Sequence, residues 1–80
     1  MLMEDKLIAY CSKLIEETQK YRYRISEQCA MSEKRGNEIS LEYNLREIAR
    51  LEGTIATLRD IIEWATRQKI VNRNRRSEND

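Results

Sequence analysis

Apolar residues return every three or four positions along the second half of the chain, within residues 41–65. Alternating steps of three and four give a period of about 3.5 residues, which is typical of a helix with one apolar stripe that packs against another helix. We call this stripe, together with its counterpart in the first half of the chain, the seam. In the second half the predicted seam consists of Leu41, Asn44, Ile48, Leu51, Ile55, Leu58, Ile62 and Ala65.

The first half of the chain has a stripe of the same period. It predicts a second helix that faces the first, because two matched stripes bury each other when their helices lie side by side. Thr18, a polar residue within this stripe, predicts either a device that fixes the register or a bond from its hydroxyl to the carbonyl four residues earlier. The predicted seam of this helix consists of Leu7, Cys11, Leu14, Thr18, Tyr21 and Ile25.

A glycine separates the two stripes. Two basic residues precede Gly36, and this arrangement is typical of a helix that ends on a left-handed residue. Asn37 or Ser40 can then cap the start of the next helix. The sequence therefore predicts a turn at residues 35–38, and a connection this short makes the two helices antiparallel.

The predicted fold class is all-α, an antiparallel two-helix hairpin of the coiled-coil type. Its helices are expected at about residues 4–34 and 38–72, so that residues 1–72 form one domain. The basic and polar residues 73–80 have nothing apolar to bury and are expected to form a disordered tail.

The composition favours helices and limits the stability of an isolated chain. The chain has 80 residues, no proline, two glycines and 36% charged residues. A domain near this size buries only about 60% of its unfolded surface, so we expect the hairpin to be completed by oligomerisation or by a partner protein. Gly53, within the second helix, predicts either a close approach of another backbone or a tolerated defect.

Candidate catalytic and cofactor-binding chemistry is sparse. The chain has no histidine for a nucleophilic triad or a zinc site, and it has no glycine-rich phosphate loop. Carboxylate pairs such as Asp60 and Glu63 would lie on a hairpin that offers no pocket to shift their pKa values. We therefore expect a protein that is not an enzyme and that has no catalytic residue, cofactor or metal ion.

The cysteines and the hydropathy bear on the location of the protein. Cys11 and Cys29 fall on one predicted helix, about 27 Å apart along its axis, and cannot form a disulfide with each other. No apolar run is long enough to span a membrane, and no secretory leader is recognisable. We expect a cytoplasmic protein with reduced thiols.

Two basic stretches raise the alternative of nucleic-acid binding. Residues 21–24 interleave tyrosines with arginines, a pattern that could stack on bases while contacting phosphates. Residues 67–76 are rich in arginine and could bind a phosphate backbone. The net charge of +1 argues against binding by bulk electrostatic attraction, so nucleic acid is the lesser expectation.

The outer face of the second helix carries apolar residues that the seam does not use. Tyrosine and tryptophan are frequent anchors of protein interfaces, and large exposed apolar areas are rare on soluble monomers. We therefore expect another protein, or a second copy in a homodimer, to cover this face. The predicted partner-binding residues are Tyr43, Leu45, Ile61 and Trp64.

One segment of the second helix has a recognisable pattern. It is formed by Arg46, Glu47, Leu51, Glu52, Ile55 and Ala56. Together with the turn at residues 35–38, this pattern resembles the YscE/PscE-type co-chaperones of type III secretion needle subunits. The resemblance implies a small helical hairpin that stabilises a helical-repeat co-chaperone and helps to keep a needle subunit unpolymerised. It implies no catalytic residues.

A second resemblance involves the later part of the same helix. Leu58 is followed by Trp64 and Ala65, and this spacing is similar to the closing helix of small phage hairpins that sequester cyclic nucleotide signals. It implies a phage-encoded inhibitor or counter-defence protein. This interpretation is the alternative to the co-chaperone.

Overall fold

The computed structural model describes residues 2–79 and consists of two long helices. Helix α1 spans Met3–Arg35 and helix α2 spans Glu38–Asn79. The helices are antiparallel, because side chains at the start of α1 contact side chains near the end of α2. The predicted all-α hairpin is therefore confirmed, and it measures 67 × 16 × 12 Å.

The seam forms the core between the two helices. The two buried apolar residues of α1 are Cys11 and Ile25, and they face Leu51, Ile55 and Ala65 of α2 across the hairpin. The seam is continuous because a repeat of about 3.5 residues keeps the same side of each helix turned inward over many turns. Its half-buried members are Leu7, Leu14, Thr18, Leu41, Ile48, Leu58 and Ile62.

Three polar or amphipathic seam positions differ in their surroundings. The hydroxyl of Thr18 donates to the carbonyl of Leu14 at 2.7 Å, which is the backbone bond considered from the sequence. Asn44 is buried, and no buried side-chain nitrogen or oxygen atom in the described part of the chain lacks a hydrogen-bond partner. Tyr21 remains 45% exposed, so its ring lies at the edge of the seam and not inside it.

The turn ends α1 with the two bonds of a Schellman motif. Gly36 takes the left-handed conformation, with φ of 72°, and its N–H donates to the carbonyl of Glu33 at 3.1 Å. The N–H of Asn37 donates to the carbonyl of Ser32 at 2.9 Å. The Asn37 Oδ1 atom then accepts the N–H of Ser40 at 3.1 Å and caps α2. The predicted glycine signal is thus confirmed, and Asn37 is the residue that caps the helix.

Helix α2 is longer than its sequence pattern indicated. The expected end was residue 72, with a disordered tail at residues 73–80; in the structure α2 continues to Asn79, and Asp80 lies outside the described residues. No proline or glycine follows Gly53, so nothing in the chain breaks the helix. Neither helix in the described part of the chain has a stretch long and apolar enough to cross a membrane.

Gly53 lies on the outer side of α2. A methyl group placed on its Cα would find no atom within 4 Å. No neighbouring backbone of the hairpin therefore requires a glycine here, and the tolerated defect is the interpretation that fits the isolated chain.

Candidate protein-binding surface

Contacts between the two helices fix their register. The Asp5 carboxylate accepts a bond from Lys69 at 2.6 Å at the open end of the hairpin. The Ser32 and Ser40 hydroxyls lie 2.9 Å apart beside the turn. Between them Arg22 pairs with Glu52 across the helices at 3.7 Å. With the register fixed, the residues on either side of the seam can be assigned to two flanks of the hairpin, each formed by both helices.

Most of the exposed aromatic side chains lie on one flank. The pKa of Arg50 is raised chiefly by its hydrogen bond to Glu47, and Tyr21 of α1 and Tyr43 of α2 raise it further by electrostatic interaction; both tyrosines therefore lie near that guanidinium although they belong to different helices. Heptad spacing places Trp64 in line with Tyr43, and Tyr10 on the same side of α1 as Tyr21. We call this side the aromatic flank and define it by Met3, Tyr10, Tyr21, Met31, Tyr43, Ile61, Trp64 and Val71.

The opposite flank carries smaller and more polar side chains. The Arg22–Glu52 pair belongs to it, and so does Leu45. A helix turns about 100° per residue, so Leu45 points roughly 200° away from Tyr43. The four residues expected to form one partner-binding face are therefore divided: Leu45 lies on the opposite flank. The sequence-based grouping recognised that they were outside the seam but not that they pointed in two directions.

The three remaining candidates expose apolar surface to different extents. The side chains of Tyr43 and Trp64 are 67% and 57% exposed, while Ile61 is half-buried at the border of the seam. The two rings are separated by 21 residues, or about 31 Å along α2. A partner that contacts both must be elongated, and a helix laid along the flank has the required shape.

The hairpin exposes more surface than a compact protein of its mass. Its accessible surface is 6558 Å², whereas a globular monomer of 9.6 kDa exposes about 5,100 Å². The excess of roughly 1,500 Å² is larger than the ~800 Å² that one partner contributes to a standard interface. The elongated shape of the hairpin therefore exposes surplus surface that an interface could cover.

One ion pair orders the middle of the aromatic flank. The Glu47 carboxylate accepts a bond from Arg50 Nε at 3.2 Å and a second bond from a terminal nitrogen of the same guanidinium. These hydrogen bonds lower the pKa of Glu47 and raise the pKa of Arg50. The guanidinium also lies near Tyr21 and Tyr43, so the ion pair stands beside tyrosines of both helices.

The two basic stretches do not form one cationic surface. Arg22 is paired with Glu52 on the opposite flank, whereas Tyr21 lies on the aromatic flank. Farther along α2, Arg67 is paired with Glu63 and Lys69 with Asp5. These three cations are thus already paired with carboxylates, which weakens the case for nucleic-acid binding.

The described residues offer little else for chemistry. Cys11 is buried, Cys29 is half-buried, and both are free thiols. Within residues 2–79, no three histidine, cysteine, aspartate or glutamate side chains gather into a group that could hold a metal ion. Comparisons with protein-family models, with curated proteins and with solved structures find no match to this chain. The aromatic flank is thus the feature from which a function can be argued.

Proposed function

We propose that this protein is a protein-binding module that uses its aromatic flank to bind a helical partner. The exposure of Tyr43 and Trp64 on one side of a narrow hairpin is the observation that supports this function. A two-helix unit has no third element to cover these rings, and burying aromatic surface is a main source of interface affinity. We place the protein in the cytoplasm, where the free thiols of Cys11 and Cys29 would stay reduced.

The specific activity that we propose is that of a type III secretion co-chaperone. It rests on the resemblance of Arg46, Glu47, Leu51 and the turn at residues 35–38 to the YscE/PscE-type family. The hairpin would act as a scaffold that stabilises a helical-repeat protein, and the two together would keep a needle-type subunit unpolymerised. A long hairpin with one apolar flank suits this task because helical repeats present extended grooves of similar length.

A second candidate is a phage-encoded helical inhibitor that sequesters a cyclic nucleotide. It is favoured by the resemblance around Leu58 and by the position of Trp64, whose exposed ring follows that segment while Ala65 beside it is fully buried. An exposed indole can stack on a base, which is the contact that such an inhibitor requires.

Purification from the native host, followed by mass measurement of the intact complex, separates these functions. A helical-repeat protein in stoichiometric amount supports the co-chaperone, and a bound cyclic nucleotide supports the inhibitor. Recovery of the chain without either contradicts both specific activities.

Matched alanine variants test whether the aromatic flank is the binding surface. Trp64→Ala and Tyr43→Ala should each weaken the complex by about tenfold or more, because each removes an aromatic anchor. Leu45→Ala is the control, since Leu45 is 54% exposed but lies on the opposite flank. Helical content should stay unchanged in all three. Equal loss of binding from Leu45→Ala would contradict the assignment of the flank.

A further inference from the structure

On α2, the aromatic flank is complementary to itself when its direction is reversed. Five residues spaced seven apart form its central column, and they are Tyr43, Arg50, Thr57, Trp64 and Val71. When the column is reversed about Thr57, the arginine takes the place of the tryptophan and the tyrosine takes the place of the valine. If such a column lay against its own reverse, Arg50 would face the ring of Trp64, and Tyr43 would face Val71.

Helix α1 repeats this arrangement. Its column on the aromatic flank is Met3, Tyr10, Glu17, Arg24 and Met31, again seven residues apart. Reversal about Glu17 exchanges Tyr10 with Arg24 and one methionine with the other. The same two kinds of contact result, one between a cation and a ring and one between apolar side chains.

The centres of the two columns lie side by side. The observed register pairs residue 5 with residue 69 and residue 22 with residue 52, so residue 17 stands opposite residue 57. One two-fold axis can therefore pass through both centres. From this coincidence we infer that the aromatic flank binds a second copy of this chain, in an antiparallel dimer whose axis crosses the flank at Glu17 and Thr57.

The aromatic rings of one copy would meet cations of the other in this dimer. Trp64 and Tyr10 each meet an arginine of the second copy, Arg50 and Arg24 respectively, and such cation–ring contacts strengthen when they are shielded from water. Each pair occurs twice by symmetry. The resulting four-helix bundle has antiparallel neighbours throughout.

Side chains at the edge of the seam fit the same dimer. Leu14 is half-buried and Tyr21 is 45% exposed, and both lie on the side of α1 that turns toward the aromatic flank. The same axis that pairs Tyr10 with Arg24 brings Leu14 of one copy to Tyr21 of the other. Leu14 and Tyr21, both incompletely covered within the hairpin, would thereby cover each other.

One charge contact opposes the association, and another selects the antiparallel arrangement of the two copies. The Glu17 carboxylates of the two copies meet at the axis and repel each other; Lys13 stands one turn away, whereas Lys20 is paired with Glu16 at 3.4 Å. A dimer with parallel copies would bring Arg24 of one chain against Arg50 of the other, two like charges, and would lose the cation–ring pairs. The charge pattern therefore favours the antiparallel arrangement.

The dimer does not depend on the proposed function. If both hold, the second copy and the partner protein compete for the aromatic flank, and the partner must displace one hairpin from the other. Failure of the dimer leaves the host-complex experiment unaffected, because that experiment measures a different species.

Disulfide trapping tests the position of the axis. In a chain carrying Cys11→Ala and Cys29→Ala, with helical content checked by circular dichroism, Thr57→Cys should give a disulfide-linked dimer under mild oxidation. The control Ala56→Cys is one residue away but points to the opposite flank, and it should form no disulfide between the two copies. Cross-linking at position 56 but not 57, or at neither position, overturns the proposal.

Sedimentation of the untrapped protein supplies the second measurement. The unmodified chain should show a reversible species of twice 9.6 kDa at micromolar concentration. Arg50→Ala should weaken it by roughly tenfold, since two cation–ring pairs are lost. Arg59→Ala, on the opposite flank, should have no effect. A monomer at all concentrations, or equal effects of both substitutions, overturns the dimer.

Discussion

The two flanks of the hairpin are formed by the same two helices, yet their surfaces differ. The aromatic flank carries Tyr10, Tyr43 and Trp64, which expose most of their rings to water. On the opposite flank α2 exposes the aliphatic side chains of Leu45 and Ile70 and small residues such as Ala49 and Ala56, but neither of its two aromatic residues. Two helices bury only the seam between them, so both flanks stay exposed. The residue types on each flank then distinguish the surface that favours a partner from the surface that does not.

The ion pairs of the two flanks also differ in what they connect. Arg22 and Glu52 join α1 to α2 across the opposite flank at 3.7 Å. Glu47 and Arg50 belong to α2 alone, and their pairing leaves the aromatic flank without a described ion pair between the helices. A surface bridged by its own charges has less need of a partner, whereas the aromatic flank keeps its apolar groups available for contact with another chain.

The largest expected effect is the unfolding of the hairpin, which would abolish both flanks at once. Ile55 is almost completely buried in the middle of the seam, so Ile55→Asp places an unpaired charge in the core and should destabilise the hairpin by more than about 3 kcal/mol. Loss of the helical signal in circular dichroism measures this. The exposed control Glu42→Ala should change the unfolding free energy by less than about 0.5 kcal/mol. A folded Ile55→Asp protein would contradict the assignment of the seam.

Two tyrosines of α1 test whether association uses the aromatic flank or the outer side of that helix. Tyr10 lies on the aromatic flank and Tyr23 on the outer side of the same helix, with similar exposure. Tyr10→Ala should weaken association by about 1–2 kcal/mol, and Tyr23→Ala should leave it unchanged. Sedimentation at several concentrations gives both values. If Tyr23→Ala has the larger effect, the interface lies on the outer side of α1.

The two glycines should respond in opposite directions to the same substitution. Gly36→Ala should destabilise the hairpin by about 1 kcal/mol, because φ of 72° is unfavourable for a residue with a Cβ atom. Gly53→Ala should stabilise it by about 1 kcal/mol, because the site is helical and open. Urea unfolding measures both changes. Loss of association in Gly53→Ala would show that another chain approaches the outer side of α2, away from both flanks.

The smallest expected effect is on the stability of the hairpin at acidic pH. The bonds from Arg50 lower the pKa of Glu47 in the folded chain, so this carboxylate stabilises the hairpin above its unfolded pKa of about 4.5, and that contribution is lost as the pH falls through the lower folded value. Glu47→Gln should therefore flatten the pH dependence of stability below about pH 4.5. Thermal unfolding of the variant and the parent between pH 3 and 7 measures the difference. An unchanged profile would show that the pair is not maintained in solution.

Much of the fold could be predicted from local signals. The spacing of Leu51 and Ile55 within a repeat of about 3.5 residues defines the inner side of α2. Gly36 marks the turn, because a left-handed residue ends a helix most readily when it has no side chain. These signals depend only on neighbours in the chain, which is why the hairpin, its seam and its turn follow from the sequence.

The candidate site could be predicted only in part. Tyr43 and Trp64 are recognisable because both lie outside the seam and are spaced three heptads apart. Leu45, which was grouped with them, lies on the opposite flank. A linear pattern identifies outward positions but does not show toward which flank each one points. The position of Tyr10 and Tyr21 of α1 on the same flank was not predicted, because no signal within one helix shows which residues of the other lie beside it.

The sequence by itself determined two helices, the side of each that is buried and the place where the chain reverses, since all three follow from spacing and backbone preference. The tertiary structure decided how the helices align. Contacts such as Lys69 with Asp5 and Arg22 with Glu52 set one residue opposite another across the hairpin. That alignment brings aromatic rings from both helices onto one flank and places Glu17 beside Thr57, and it depends on distances between residues far apart in the chain, which no local pattern contains.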